Sequence, residues 1–150
     1  MIIGLPDLAS YRATLSGRVV ATNGCFDLFH PGHLDSLRRA RALGDHLIVG
    51  LNSDESVGLI KGSGRPIIGE AHRAEMLDAL KCVSVVTVFD ERTAERFLEA
   101  AKPHYWAKSS EYQDNVASVE LEVLQGIGAK LVFLPTLAGF STTELLGRVA

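Results

Sequence analysis

The stretch Thr22-Asn23-Gly24-Cys25-Phe26-Asp27-Leu28-Phe29-His30-Pro31-Gly32-His33 decides the reading of this chain. It follows an apolar run that begins at Val19 and precedes a segment in which Leu34, Leu37, Ala40 and Leu43 recur at helical spacing, so it marks a strand running into a helix. Pro31 suits the first helical turn, where its missing N–H would be unpaired anyway. Gly32 lets a ligand approach the backbone, and the helix N-terminus offers free N–H groups and a positive dipole end to a phosphate. On spacing alone His30 and His33 fit three readings. They cap the helix, they donate to phosphoryl oxygens, or they are half of a zinc site for which no convincing third ligand stands nearby.

Outward from this turn, apolar runs of strand length alternate with segments of helical period, the pattern of βαβ units. Strands are expected over 19–25, 46–52, 83–89, 104–108 and 130–134. Most are continuous β-branched or leucine runs, as strands covered on both faces require. Helices are expected over 31–43, 71–80, 93–101, 118–124 and 142–149, with another over about residues 7 to 15. The expected fold is α/β: one domain over residues 1–150, a doubly wound, Rossmann-like, parallel five-stranded sheet, with residues 1–17 as a helical extension. Ligands of such sheets bind at the carboxyl ends of the strands, near the switch point. Gly58 to Gly69, with four glycines, one proline and two basic residues, reads as a flexible connection.

Composition narrows the function. The 150 residues are 47% hydrophobic and 22% charged, the balance of a domain with a buried core. A net charge of −3 without a dense Lys/Arg run speaks against nucleic acid as a partner, since backbone binding needs a broad basic surface. Met1-Ile2-Ile3-Gly4-Leu5-Pro6-Asp7 shows neither a basic leader nor a membrane-length apolar stretch, so a cytoplasmic protein with no membrane partner is expected. Cys25 and Cys82 form no C-x-x-C pair and are read as small, reduced, buried residues.

Gly24-Cys25-Phe26-Asp27 followed by His30-x-Gly32-His33 resembles the signature of the cytidylyltransferase-like branch of the nucleotidyltransferase superfamily. Asn52-Ser53-Asp54, Lys61 with Arg65-Pro66, Arg73, and Ser141-Thr142-Thr143 continue the resemblance in order and spacing over nearly the whole chain. Within the branch, Thr22 to Asp27, Leu43-Gly44-Asp45 and Asn52-Ser53-Asp54 are most similar to the heptose 1-phosphate adenylyltransferases of ADP-heptose synthesis. That enzyme is fused to a sugar kinase in some organisms, and the resemblance implies a stand-alone form here. It also implies transfer of a nucleoside monophosphate, from ATP, to a sugar phosphate with release of pyrophosphate, and a homodimer. A cytidylyltransferase acting on glycerol 3-phosphate and a non-catalytic nucleotide-binding module are the alternatives.

The resemblance assigns His30, His33 and Lys61 to catalysis. Asn23, Gly24, Cys25, Phe26, Gly32, Lys108, Ser141, Thr142 and Thr143 are assigned to the nucleotide. Asp27, Asn52, Asp54, Lys61 and Arg73 are assigned to the phosphorylated substrate. Purely structural roles compete residue by residue: a solvated lysine for Lys61, a helix-surface arginine for Arg73, local caps for Asp27 and Ser141, a strand end for Lys108. Mg²⁺ is implied, held mainly by the nucleotide phosphates and with no dedicated protein ligand. Trp106 reads as a core or interface residue rather than a platform for the base. One departure stands out. The heptose enzymes usually carry a Lys-Gly-x-Asp-Tyr stretch where this chain has Lys108-Ser109-Ser110-Glu111-Tyr112, in a loop expected near the base.

Overall fold

A strand that is apolar on both faces must be covered on both sides, and the computed structural model, which describes residues 1–149, covers it with helices. The strands are β1 (Ile2–Gly4), β2 (Val19–Gly24), β3 (His46–Asn52), β4 (Val85–Phe89), β5 (Tyr105–Ser109) and β6 (Lys130–Leu134). They form one sheet in the order β1-β4-β3-β2-β5-β6, with every pairing parallel. The helices are α1 (Leu5–Ala13), α2 (Pro31–Arg41), α3 (Asp54–Lys61), α4 (Glu70–Asp78), α5 (Glu95–Ala101), α6 (Ser118–Ile127) and α7 (Thr142–Val149). No described helix is long and apolar enough to cross a membrane.

Strand periodicity divides the interior into two cores. Val19 and Ala21 of β2 join Ile48, Val85, Phe97 and Trp106 on one face, while Val20 joins Leu37, Leu47, Val49 and Leu77 on the other. Each fully buried aliphatic or aromatic side chain contributes roughly 1.5–3 kcal/mol. Gly50 lets the Phe97 ring pack close against β3: a Cβ there would meet the ring at 3.0 Å. Buried Glu120 ties two helix starts together, accepting from Ala94 N at 2.8 Å and from Ala117 N at 3.2 Å.

The structure corrects the expected strand count. The described residues form six strands, because Ile2–Gly4, within the segment read as a helical extension, pairs with β4 at the sheet edge. Three residues carry no readable alternation, so only the pairing defines them. A second correction concerns Gly58 to Gly69, whose first part is the end of α3. Ser53 caps that helix through Ser56 N, and Val57 is fully buried, which together outweigh the roughly 1 kcal/mol cost of Gly58. Both cysteines are free, as expected, yet half-buried rather than buried.

Candidate active site

β2 lies at the centre of the sheet, with β3 and β4 to one side and β5 and β6 to the other, so the strand order reverses beside its carboxyl end. The chain leaves β2 through a tight turn in which Phe26 and Leu28 hold left-handed φ angles of 47° and 50°. Such angles are unfavourable for residues with side chains and are kept only where surroundings enforce them. The turn delivers His30 to the N-cap of α2.

Here the capping reading of the histidines is met, in a form that leaves a donor on each ring. His30 Nδ1 accepts from Gly32 N at 3.1 Å, and His33 Nδ1 accepts from His30 N at 3.2 Å. Both rings therefore cap the helix through Nδ1, which places the proton of each neutral imidazole on Nε2 and leaves it as a donor. The rings stack with centroids 3.8 Å apart, flanked by Phe29 against His33 and Phe140 against His30. Burial lowers the pKa of His30. Burial, then the charges of His30 and Lys61, push His33 down to about 3. Gly32 is required here, since a Cβ would sit 2.8 Å from His30 Cε1 and 3.2 Å from the Phe140 carbonyl oxygen.

Around this pair runs a frame of polar groups bonded to one another. The Asp27 carboxylate, 1% exposed, accepts from Ile67 N at 2.9 Å, Ile68 N at 3.0 Å and Arg65 Nε at 3.0 Å. Burial alone would raise its pKa, but these three donors outweigh it and the pKa lies below the ordinary value. Arg73, also 1% exposed, is no surface residue: it donates to the carbonyls of Ile68, Cys25 and Asn52 and to Asp54 Oδ1. Asn52 donates to buried Ser56 Oγ, and Asp54 Oδ1 also accepts from Glu70 N. Asp27, Asn52, Asp54 and Arg73, read from the sequence as substrate contacts, are thus engaged by protein partners. Their bonds fix the ends of β2 and β3 and the segment before α4. The segment read as a flexible connection is likewise pinned at residues 65–68, and Lys61 is the exposed last residue of α3.

Further residues approach the end of β2 from the β5 and β6 side. Trp106 is fully buried and donates through Nε1 to Asn23 Oδ1 at 2.8 Å. Lys108 Nζ lies 4.6 Å from the Trp106 ring centre and 5.1 Å from that of Tyr112, and burial lowers its pKa. Ser109 Oγ shares a hydrogen bond of 2.8 Å with Thr136 Oγ1. Ser141 Oγ accepts from Glu144 N at 3.0 Å, capping α7, and Thr142 Oγ1 donates to the Asp27 carbonyl at 3.0 Å, while Thr143 is exposed.

Residues 21–145 match the cytidylyltransferase-like family. The chain belongs to that family. As a cytidylyltransferase-like protein it is a nucleotidyltransferase. It is 48% identical over 155 aligned positions to the bifunctional protein HldE of Streptomyces coelicolor, covering 99% of this chain and 33% of that protein. It is 45% identical to the HldE of Koribacter versatilis over 87% of this chain and 27% of that protein. The chain thus spans a third or less of these relatives. Among solved structures, a lipopolysaccharide core biosynthesis protein from Thermoplasma volcanium superposes with a TM-score of 0.66 at 24% identity, over 81% of this chain and 98% of that one. A pantoate-beta-alanine ligase from Francisella tularensis gives the same TM-score at 14% identity, over 91% of this chain and 67% of the other. Both show a shared fold.

In this cytidylyltransferase-like site the free Nε2–H donors and the N-terminus of α2 suit an oxyanion that gains charge. Among the described residues no three His, Cys, Asp or Glu side chains converge on a point where a cation would sit. Asp27 and Asp54 are held by N–H donors. Sequence reading gave no role to Phe29, Arg65, Thr136 or Phe140; Phe29 stacks locally on His33, and the other three are drawn to the site by tertiary contact. Phe140, directly before Ser141-Thr142-Thr143, is the one that its position in the motif pointed to.

Proposed function

We propose that this nucleotidyltransferase moves AMP from ATP to a heptose 1-phosphate, giving ADP-heptose and pyrophosphate. The observation that carries the transfer chemistry is the stacked pair His30 and His33, with both Nδ1 atoms bonded to backbone N–H groups and both Nε2–H groups left as donors. The heptose acceptor is supported by the blocks from Thr22 to Asp54 and by the similarity to the HldE proteins across most of this chain.

The acceptor phosphate is already an anion near neutral pH, so the protein has to position charges rather than remove a proton. An acceptor oxygen attacks the α-phosphorus, the bond from that phosphorus to the bridging oxygen breaks, and pyrophosphate leaves in line. His30 and His33 donate to the oxygens that gain charge. The start of α7, with Ser141 and Thr143, receives the β- and γ-phosphates; Lys61 reaches the phosphates from the end of α3. Asn23, Lys108 and the turn from Gly24 to Phe26 border the nucleoside. Mg²⁺ would be held by the nucleotide phosphates and would neutralise part of their charge. We also propose a cytoplasmic homodimer, for which sedimentation velocity is the test of the oligomer.

Pyrophosphate release with ATP, CTP, GTP and UTP, each with heptose 1-phosphate and with glycerol 3-phosphate, decides among the readings. The expected result is release with ATP and heptose 1-phosphate. Release only with CTP and glycerol 3-phosphate would replace this reading with a cytidylyltransferase, and no release with any pair would leave a binding module.

A further inference from the structure

Arg65 has an unusual position for a residue in a glycine-rich connection. Its side chain is 19% exposed, and its Nε donates to Asp27 Oδ2 at 3.0 Å. Its Nη2 is buried with no hydrogen-bond partner among the described residues. Buried N–H donors are costly to leave unmade, and an orphan in an otherwise satisfied network marks a place where something else bonds.

The network around it is satisfied. The carboxylate of Asp27 also accepts from Ile67 N and Ile68 N, so Arg65 is held in place while its far end is left without a protein acceptor. Arg65, Lys61 and Arg73 all stand close enough to the Cys25 thiol to act on its charge. Arg73 is engaged by three carbonyls and Asp54, whereas Lys61 is exposed at the end of α3. Two cations with free donors therefore border the turn that leads to the histidines. A planar guanidinium with a free edge matches the oxygens of a phosphate.

Topology says which phosphate. Arg65 reaches the end of β2 from the β3 side, while α7, which follows β6, arrives from the other side and bonds to Asp27 through Thr142. In-line displacement puts attacking and leaving oxygens on opposite sides of the α-phosphorus. With pyrophosphate at the start of α7, the attacking group comes from the β3 side. We propose that Arg65 binds the acceptor's phosphate monoester through Nη2, with Asp27 as the positioning residue that aims it. This rests on the nucleotidyl-transfer reading above.

The test separates acceptor from nucleotide. In Arg65→Lys and Arg65→Gln the KM for heptose 1-phosphate should rise at least tenfold, with the Kd for ATP changed less than twofold. Arg65→Lys keeps a charge for Asp27, and an unchanged melting temperature in that variant shows that the acceptor effect is not loss of fold. An unchanged acceptor KM, or an equal loss of ATP affinity, overturns the proposal. Should heptose 1-phosphate not be turned over at all, the reading of the acceptor falls while the site is still tested with inorganic phosphate as the probe. Calorimetry should then show inorganic phosphate binding to the wild type at least tenfold more tightly than to Arg65→Gln, and equal binding overturns the proposal.

Discussion

Replacing Arg73 with methionine removes the guanidinium that bonds the ends of β2 and β3 to the segment before α4. The side chain is 1% exposed, and four hydrogen bonds disappear: to Ile68 O at 2.7 Å, Cys25 O at 2.7 Å, Asn52 O at 2.8 Å and Asp54 Oδ1 at 2.8 Å. Asp54 is 48% exposed and rehydrates, so its loss counts for little. The Asn52 carbonyl is bonded at a fully buried position and the other two carbonyls at partly buried ones; an orphaned buried acceptor costs about 1–3 kcal/mol. Methionine fills most of the volume and recovers some apolar burial, which leaves a net loss of about 3–5 kcal/mol. With a urea slope of about 2 kcal/mol per molar, the midpoint should fall by roughly 1.5–2.5 M at unchanged slope. Arg73→Lys should fall between wild type and methionine, because an ammonium can serve one or two of the carbonyls but not all three. Equilibrium urea denaturation followed by circular dichroism measures both. A loss below about 1 kcal/mol in Arg73→Met would mean that water serves these carbonyls and that Arg73 is not the frame of the site.

His30→Ala and His33→Ala should each lower turnover by at least about a hundredfold, with a smaller effect on ATP affinity, because each removes a donor to developing charge; near-normal turnover in both would sink the assignment. Burial first, and the neighbouring charges of His30 and Lys61 next, hold the pKa of His33 at about 3. Since it lies below the unfolded value near 6.5, this contribution to stability is fully present above about pH 6.5 and is lost as pH falls toward 3. Imidazole resonances of His33 in the free protein should show no titration above pH 5, and a midpoint near 6.5 would refute the buried, neutral ring. Ser109→Gly should shift the ratio of kcat/KM between ATP and CTP by no more than about tenfold, mainly through KM, by breaking the hydroxyl pair with Thr136. An unchanged ratio removes Ser109 as a selector of the base.

Alternation of apolar runs with helical periods was enough to specify a parallel α/β sheet, because burial on both faces imposes that pattern on each strand locally. His30-Pro31-Gly32-His33 was equally local: the capping geometry, the need for glycine and the free helix N-terminus all arise within four residues. Distance in the chain hid the rest. β1 is too short to show a period and exists through its pairing with β4, and α3 holds despite Gly58 because Ser53 and Val57 find partners in the fold. Asp27, Asn52, Asp54 and Arg73 are assigned to the substrate by the family resemblance. Only the tertiary structure brings Arg73 to the Cys25 carbonyl, 48 residues away, and Asp27 to Ile67 and Ile68, and so ties these residues into one frame. The choice of bonding partner for a charged side chain depends on which groups folding buries beside it, and a one-dimensional pattern does not carry that information.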